Sequence, residues 1–568
     1  MRTFITVLML AASHMAAAHI VIQGVEDDMA KAVERSLSLG EDCSLAKWAV
    51  RYRFNQANQE VGKALQSFGY YSPNIDKTLS FDEECWHAEF QIDPGQPVRY
   101  RNIDIKVTGE GAEDETFNNF VRKAPLSRDA IFDHKIYEGF KSKLEEIAAE
   151  RGYFNATFTE REVNVSKANK TADVNLAFNT GSRFKFGAVS FDNPPLTDEL
   201  MQRYIPFNAD DPYEASKIGI FYRSLYNSEY FDDVIIDTTI DENSHRVPVD
   251  VRLIPADPRT TRVALGFSTD IGPKASLSYY NRRLNERGHR FQGNLSVAPV
   301  KQEAGVAYRI PGSAHQDGWN SFYGGFLQEE TDTSKSVKST IGFRQLVPRK
   351  AGWFETRFIE ITDDQFEIAD ETSNNFSIVP GIGWKYTTSS TAARPPSAHR
   401  VELEVSGTSE AIGSTTDYAN VVLKGKIIRP LWSGARIISR TRLGATFSDE
   451  FDRLPPSVRF FSGGDDRVRG FDFESIGPVN EDGEVIGGNR VLETSIEIDQ
   501  LVREKWAIAI FMDAGNATLN SLGSDLETAA GIGVRWYSPL GPLRVDLAAP
   551  VNSDESGIRL HISFGPDV

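Results

Sequence analysis

The chain is poor in cysteine, poor in basic charge for its size, and without a long apolar run beyond its first residues. Only Cys43 and Cys85 occur in 568 residues. They form no CxxC, and the nine histidines are scattered without ligand spacing, so no metal site is expected. Lys and Arg number 62 against 80 Asp and Glu, a net charge of −18. Phosphate binding needs a basic face, so nucleic acid is excluded as the main partner. No later stretch approaches the ~20 apolar residues of a membrane-spanning helix. A mean hydropathy of −0.36 suits a soluble protein. It does not exclude a transmembrane barrel, whose strands alternate apolar and polar residues. What is abundant keeps that exception open: 35 Phe, 18 Tyr and 44 Gly.

The first residues read as an export signal. Arg2 supplies charge, Phe4–Ala12 a short apolar core, and Ala16-Ala17-Ala18 a small-residue cleavage pattern before His19. Residues 1–18 are therefore expected to be a signal peptide. An exported chain meets an oxidising compartment, which predicts a Cys43–Cys85 disulfide, the alternative being two free buried thiols.

The next 240 or so residues repeat. Segments 64–75, 147–158 and 225–236 each read as a helix end, an aromatic pair and a strand. The pairs Tyr70-Tyr71, Tyr153-Phe154 and Tyr230-Phe231 lie 83 and then 77 residues apart. That period is too long for a solenoid and suits tandem domains. Gly69 and Gly152 fit the left-handed position after a helix. Strand, Gly turn, strand occurs at 90–105 and 176–191. Three β-α-α-β-β units are expected, at 19–96, 97–181 and 182–260. The aromatic pairs are expected to pack inside their own units.

From residue 261 to 568 the pattern changes to strands of about ten residues. Sixteen candidates begin near 262, 274, 289, 301, 319, 335, 351, 376, 399, 417, 434, 490, 505, 528, 542 and 558. An even number suits a 16-stranded antiparallel transmembrane β-barrel, and about ten residues suffice for a tilted strand to cross. Trp506, Ile508, Ile510 and Met512 share one face, against Ala507, Ala509, Phe511 and Asp513. Leu560, Ile562 and Phe564 oppose Arg559, His561 and Ser563. The soluble alternative is a large sandwich. A single long gap, between the strands at 434 and 490, contains Arg459-Phe-Phe-Ser-Gly-Gly-Asp-Asp-Arg-Val-Arg-Gly-Phe471. Its apolar residues are costly in water, and Gly463, Gly464 and Gly470 permit tight backbone, so the loop is expected inside the lumen.

This loop, with Val468-Arg469-Gly470-Phe471 at its core, resembles the signature loop of the BamA/TamA superfamily of outer-membrane assembly factors. The repeats resemble that superfamily's POTRA domains, and three of them before sixteen strands resemble its TamA branch. The four residues after Phe564 depart from the usual C-terminal aromatic. The resemblance implies that Arg469 meets wall carboxylates at Glu497 and Asp513, and the strand alternation independently puts Asp513 on the inner face. It also implies a weak lateral seam where the first strand (Arg262–Asp270, with Val263, Leu265 and Phe267) meets the last (Ile558–Gly565, with Leu560, Ile562 and Phe564), both short. The implied activity is non-enzymatic: insertion or secretion of outer-membrane proteins such as autotransporters. The implied partner is a TamB-like, inner-membrane-anchored periplasmic protein. The implied location is the outer membrane, with the repeats in the periplasm and no cofactor. A two-partner secretion transporter and a passive outer-membrane channel are the alternatives. A hydrolase would need a Ser/His or Asp/His constellation that the sequence does not display.

Overall fold

The computed structural model describes residues 19–568 apart from 41, 83–84, 313–316, 370, 389–393, 520, 539–540, 553–556 and 565–568. The expected signal peptide and the residues after Phe564 lie outside the described set. Two compact units emerge. One holds the chain up to Ser190 with Phe207–Ile220 and Ile236–Val251; the other holds Phe191–Pro206, Phe221–Ile235 and Arg252 onward.

Three modules have the same order of elements. The first is β1 (His19–Gln23), α1 (Asp27–Ser36), α2 (Lys47–Gln66), β2 (Asn74–Phe81) and β3 (Trp86–Asp93). The second is β4 (Arg99–Thr108), α3 (Glu115–Arg122), α4 (His134–Glu150), β5 (Thr157–Ser166) and β6 (Thr171–Asn179). The third is β7 (Lys185–Asp192), α5 (Asp198–Gln202), α6 (Ala215–Asn227), β8 (Phe231–Thr238) and β9 (Arg246–Pro255). In each sheet the last strand is central, giving orders β1-β3-β2, β4-β6-β5 and β7-β9-β8. The central strands carry the strictest alternation: Trp86, Ala88, Phe90 and Ile92; Ala172, Val174, Leu176 and Phe178; Val247, Val249, Val251 and Leu253, all buried. Burying every second residue against the helices is what a sheet covered on one face requires. Asp133 caps α4 by accepting from the amides of Lys135 and Ile136. Cys43 and Cys85 are disulfide-bonded within the first module.

The aromatic pairs do more than fill their own cores. Tyr153 is buried in its own module, but the Phe154 ring packs on Phe184 and Tyr213, 5.3 and 5.2 Å away between centroids, in the next. Tyr71 reaches His134 of the second module, with 2.7 Å from Oη to Nε2. In the second unit Tyr230 Oη donates to the Gly288 carbonyl of a barrel turn. One aromatic of each pair thus joins its module to the next module or, for the third, to the barrel. Periodicity confined to single units does not reveal this. The left-handed residue before the pair is retained even where glycine is not: φ is +90° at Gly69, +83° at Gly152 and +59° at Glu229.

The barrel closes from sixteen strands: β10 (Arg259–Ser268), β11 (Gly272–Asn281), β12 (Arg290–Val297), β13 (Lys301–Pro311), β14 (Trp319–Glu330), β15 (Ser334–Pro348), β16 (Trp353–Ile368), β17 (Glu371–Thr387), β18 (Ala398–Thr408), β19 (Tyr418–Pro430), β20 (Ala435–Phe447), β21 (Arg490–Arg503), β22 (Trp506–Thr518), β23 (Glu527–Ser538), β24 (Gly541–Pro550) and β25 (Arg559–Phe564). Each pairs antiparallel with its sequence neighbour. β10 starts ahead of the expected Arg262, because its first residues, Arg259-Thr-Thr-Arg, carry no apolar alternation. The outer face is apolar: Trp506, Ile508, Ile510 and Met512 on β22 are exposed, while Ala507, Ala509, Phe511 and Asp513 face inward and are buried. No helix among the described residues is long and apolar enough to cross a membrane.

Candidate functional site

The segment between β20 and β21 turns back into the barrel. Its apolar residues are buried: Phe460, Phe461, Val468 and Phe471 are each 3 % exposed or less. Val468 and Phe471 pack with Ile476 and Ala529, and Phe460 with Val491 and Ala517. The loop has its own scaffold. Phe460 and Gly488 exchange backbone hydrogen bonds, as do Ser462 and Ile476. Arg459 donates to three loop carbonyls, those of Leu454, Ile486 and Asp452, at 2.8, 2.9 and 2.7 Å. Gly463, Gly464 and Gly470 have φ of +96°, +109° and +98°. At Gly470 a Cβ would also stand 3.0 Å from the Ala529 methyl.

Arg469 projects from this scaffold into a buried carboxylate cluster. Its Nε and Nη2 grip both oxygens of Asp513, at 2.7 and 2.9 Å. Its Nη1 reaches Glu497 at 2.8 Å and Asp546 at 3.1 Å. Its main-chain amide also donates to Asp513, and its guanidinium lies 3.3 Å from the Phe511 ring centroid. Two bonds to one carboxylate, with a flat face left for an aromatic ring, are chemistry that guanidinium supplies and ammonium does not. Arg535 faces the same cluster, bonding Asp546 at 2.5 Å and Glu497 at 3.1 Å. The site therefore holds three carboxylates against two guanidiniums, on β21, β22, β23 and β24 and the loop. Arg469, Glu497 and Asp513 were expected here. Asp546 and Arg535 were not, although both stand on the inner side of clear alternations; nothing in the sequence says that those two strands lie opposite the loop.

The lateral seam has a different construction. β10 pairs with β11 along its whole length, Arg259 to Ser268; with β25, among the described residues, it pairs through Ser268–Ser563. One further backbone bond runs from Thr269 N to Ile562 O, at 3.1 Å. Among the described residues β25 spans Arg559–Phe564 and β10 Arg259–Ser268. Val263, Leu265 and Phe267 point outward and are exposed, as is Leu560. By the Ser268–Ser563 register, Phe267 stands opposite Phe564, while Leu265 is offset from Ile562. The loop supplies further contacts there. Asp465 Oδ1 accepts from Thr269 Oγ1 at 2.7 Å and from His561 Nδ1 at 2.6 Å. Asp465 N donates to Asp270 at 2.7 Å, and Gly470 N donates to His561 Nε2 at 2.8 Å. Asp270, Asp465 and His561 have the donor types of a metal site and lie close together. Their hydrogen bonds occupy them otherwise: with Nε2 accepting, Nδ1 carries the ring proton and points at Asp465.

A closed barrel with an apolar outer wall, a loop docked in its lumen and three preceding β-α-α-β-β modules defines a transmembrane barrel protein of modular build. The Omp85 superfamily domain matches residues 259–566, more than half of the chain, and the chain belongs to that superfamily. Residues 19–94 match the POTRA domain described as TamA domain 1. Among curated relatives, the outer membrane protein assembly factor BamA of Nitratidesulfovibrio vulgaris is 22 % identical over 86 % of this chain and 63 % of its own length. BamA of Neisseria meningitidis serogroup B is 21 % identical over 88 % and 70 %. The chain thus spans about two thirds of these relatives. Among solved structures, BamA from Haemophilus ducreyi lacking POTRA domains 1–3 superposes with a TM-score of 0.66 at 16 % identity, covering 82 % of this chain and 99 % of that one. CdiB from Escherichia coli gives 0.50 at 11 % identity, over 83 % and 91 %.

Proposed function

We propose that the protein is a TamA-like assembly factor of the bacterial outer membrane, with its three modules in the periplasm. It inserts or secretes outer-membrane proteins, autotransporters among them, through the β10–β25 seam. The observation that carries this reading is the seam, which among the described residues has one registered pair, beside β10–β11 and β24–β25 ladders of ten and six pairs. An edge left with free N–H and C=O groups templates an incoming strand by β-augmentation. The free energy comes from the client strand's own pairing and burial in lipid, so no cofactor and no catalytic residue is needed. The Arg469 cluster, with Glu497 and Asp513, holds the loop in the lumen as a latch. Three modules, the first of TamA type, favour a TamB-like periplasmic partner.

Locking the seam tests the proposal. A Ser268→Cys/Ser563→Cys pair should cross-link under oxidation, and cells carrying the oxidised form should lose autotransporters while other barrels persist. Full assembly with the seam locked refutes the gate. Loss of all outer-membrane barrels on depletion points to a general BamA-like role instead. Pull-down on the modules should recover a large periplasmic protein.

A further inference from the structure

Beside the docked loop, the lumen wall contains an arrangement that sheet physics disfavours. On β18, β19 and β20 the inward residues Arg400, Lys426 and Arg440 are direct register partners: Arg400 faces Lys426, and Lys426 faces Arg440. In the adjoining row Lys424 faces Arg442. Like charges directly opposite across a ladder are destabilising, and here five basic side chains adjoin on three consecutive strands. Two acids close the second row, Glu402 opposite Lys424 and Glu493 opposite Arg442, whereas the row Arg400–Lys426–Arg440 contains none. Glu402 is held by Lys385 at 2.8 Å and by Arg400 at 2.9 Å. Glu493 meets Arg442 at 3.4 Å, and Asp466 of the loop is 3.9 Å from Arg440. Arg442 Nε is buried without a hydrogen-bond partner. The row Arg400–Lys426–Arg440 runs on to Ser495, a neutral residue. These groups surround a cavity of about 410 Å³, lined also by Arg467. That is the size of an ordinary ligand pocket, ~300–1,000 Å³.

We propose that this cavity is an anion-binding site for a ligand carrying two or more phosphate-type charges. A row of guanidiniums and an ammonium that repels itself becomes favourable when an anion with several acceptor oxygens lies across it. Arg440 and Arg442 suit bidentate contact with such oxygens, and Lys426 supplies a point charge between Arg400 and Arg440. The acidic chain as a whole repels anions, so a net basic enclosure in its lumen is a selective exception. Asp466 and Arg467 flank the cavity just before Arg469, so the bound anion lies against the docked loop. The proposal stands apart from the assembly reading, because it concerns the wall and not the seam.

The full-length protein in detergent micelles is titrated calorimetrically with inorganic pyrophosphate, and separately with a diphosphorylated lipid in mixed micelles. Wild type should bind at least one of the two, more weakly at higher salt. Tighter binding of the lipid identifies a headgroup as the source, and equal or tighter binding of pyrophosphate a free anion. Lys426→Gln should weaken binding at least tenfold, whereas Lys350→Gln, on an exposed turn, should not change it. A phosphate-type ligand that binds should raise the unfolding temperature of wild type and leave that of Lys426→Gln unchanged. No binding of either ligand at millimolar concentration, or equal binding by wild type and Lys426→Gln, overturns the proposal.

Discussion

Replacing Arg469 by alanine isolates the energetics of the lumen latch. Asp513 is fully buried and accepts three hydrogen bonds from Arg469: from the main-chain amide, Nε and Nη2. Of these, alanine leaves only the amide. Glu497 and Asp546 retain Arg535, so the uncompensated charge falls on Asp513. Stripping one partner from a buried pair costs about 3–5 kcal/mol. The loss falls on loop docking, not on the strand ladders, because Arg469 belongs to the loop and the carboxylates to the wall. Hydrogen exchange reads it locally. Loop amides bonded within the lumen, such as Phe460 N to Gly488 O and Gly464 N to Val468 O, report loop opening. At 1.4 kcal/mol per decade, Arg469→Ala should speed their exchange by about two to three and a half decades. Strand amides of β14–β17 should change little. Asp513→Ala in the Arg469→Ala background should add little, since the stranded charge goes with it, giving a coupling of at least about 2 kcal/mol. Arg469→Lys should restore only part, because ammonium cannot bond both Asp513 oxygens. Acceleration below about fivefold, or additive effects in the double variant, refutes the latch.

The geometry sets three further expected outcomes. Gly470→Ala forces a side chain into φ +98°, against the Ala529 methyl and beside the amide that bonds His561, and should weaken loop docking by about 2 kcal/mol in the same exchange assay. The Cys43–Cys85 bond closes a 42-residue separation, so Cys43→Ser/Cys85→Ser or reductant should destabilise the first module by about 4 kcal/mol, seen as an earlier transition in thermal unfolding; an unchanged transition removes the structural role. Burial holds His134 below its ordinary value near 6.5, so the folded chain binds fewer protons there than the unfolded one. Its stabilising contribution is present above about pH 6.5 and is lost on acidification, so protease resistance at the junction of the first two modules should fall as the pH drops below about 6.5. His134→Gln should flatten that profile, and an identical profile in the variant assigns the dependence elsewhere.

Fold class was legible because each architecture leaves a period. Apolar alternation over ten residues marks a wall with a lipid face and a wet face, and it identified the inner position of Asp513 as well as the strand number. The tandem modules showed through helix-end glycines and aromatic pairs. What alternation cannot encode is which strands meet across the lumen. Arg535 and Asp546 were visible as inward residues but not as partners of Arg469. Asp465 and His561, separated by 96 residues, meet only because the loop folds back to the seam.

By itself, then, the sequence determined the local and periodic features: repeat length, strand faces, and the glycines and apolar residues that send one loop inward. Those arise from side-chain chemistry acting over a few residues. The tertiary structure alone decided the register in which the first and last strands meet, which aromatics tie one module to the next, and that three basic residues stand abreast on adjacent strands. Register and closure depend on the shear of the whole sheet. No short segment carries that information.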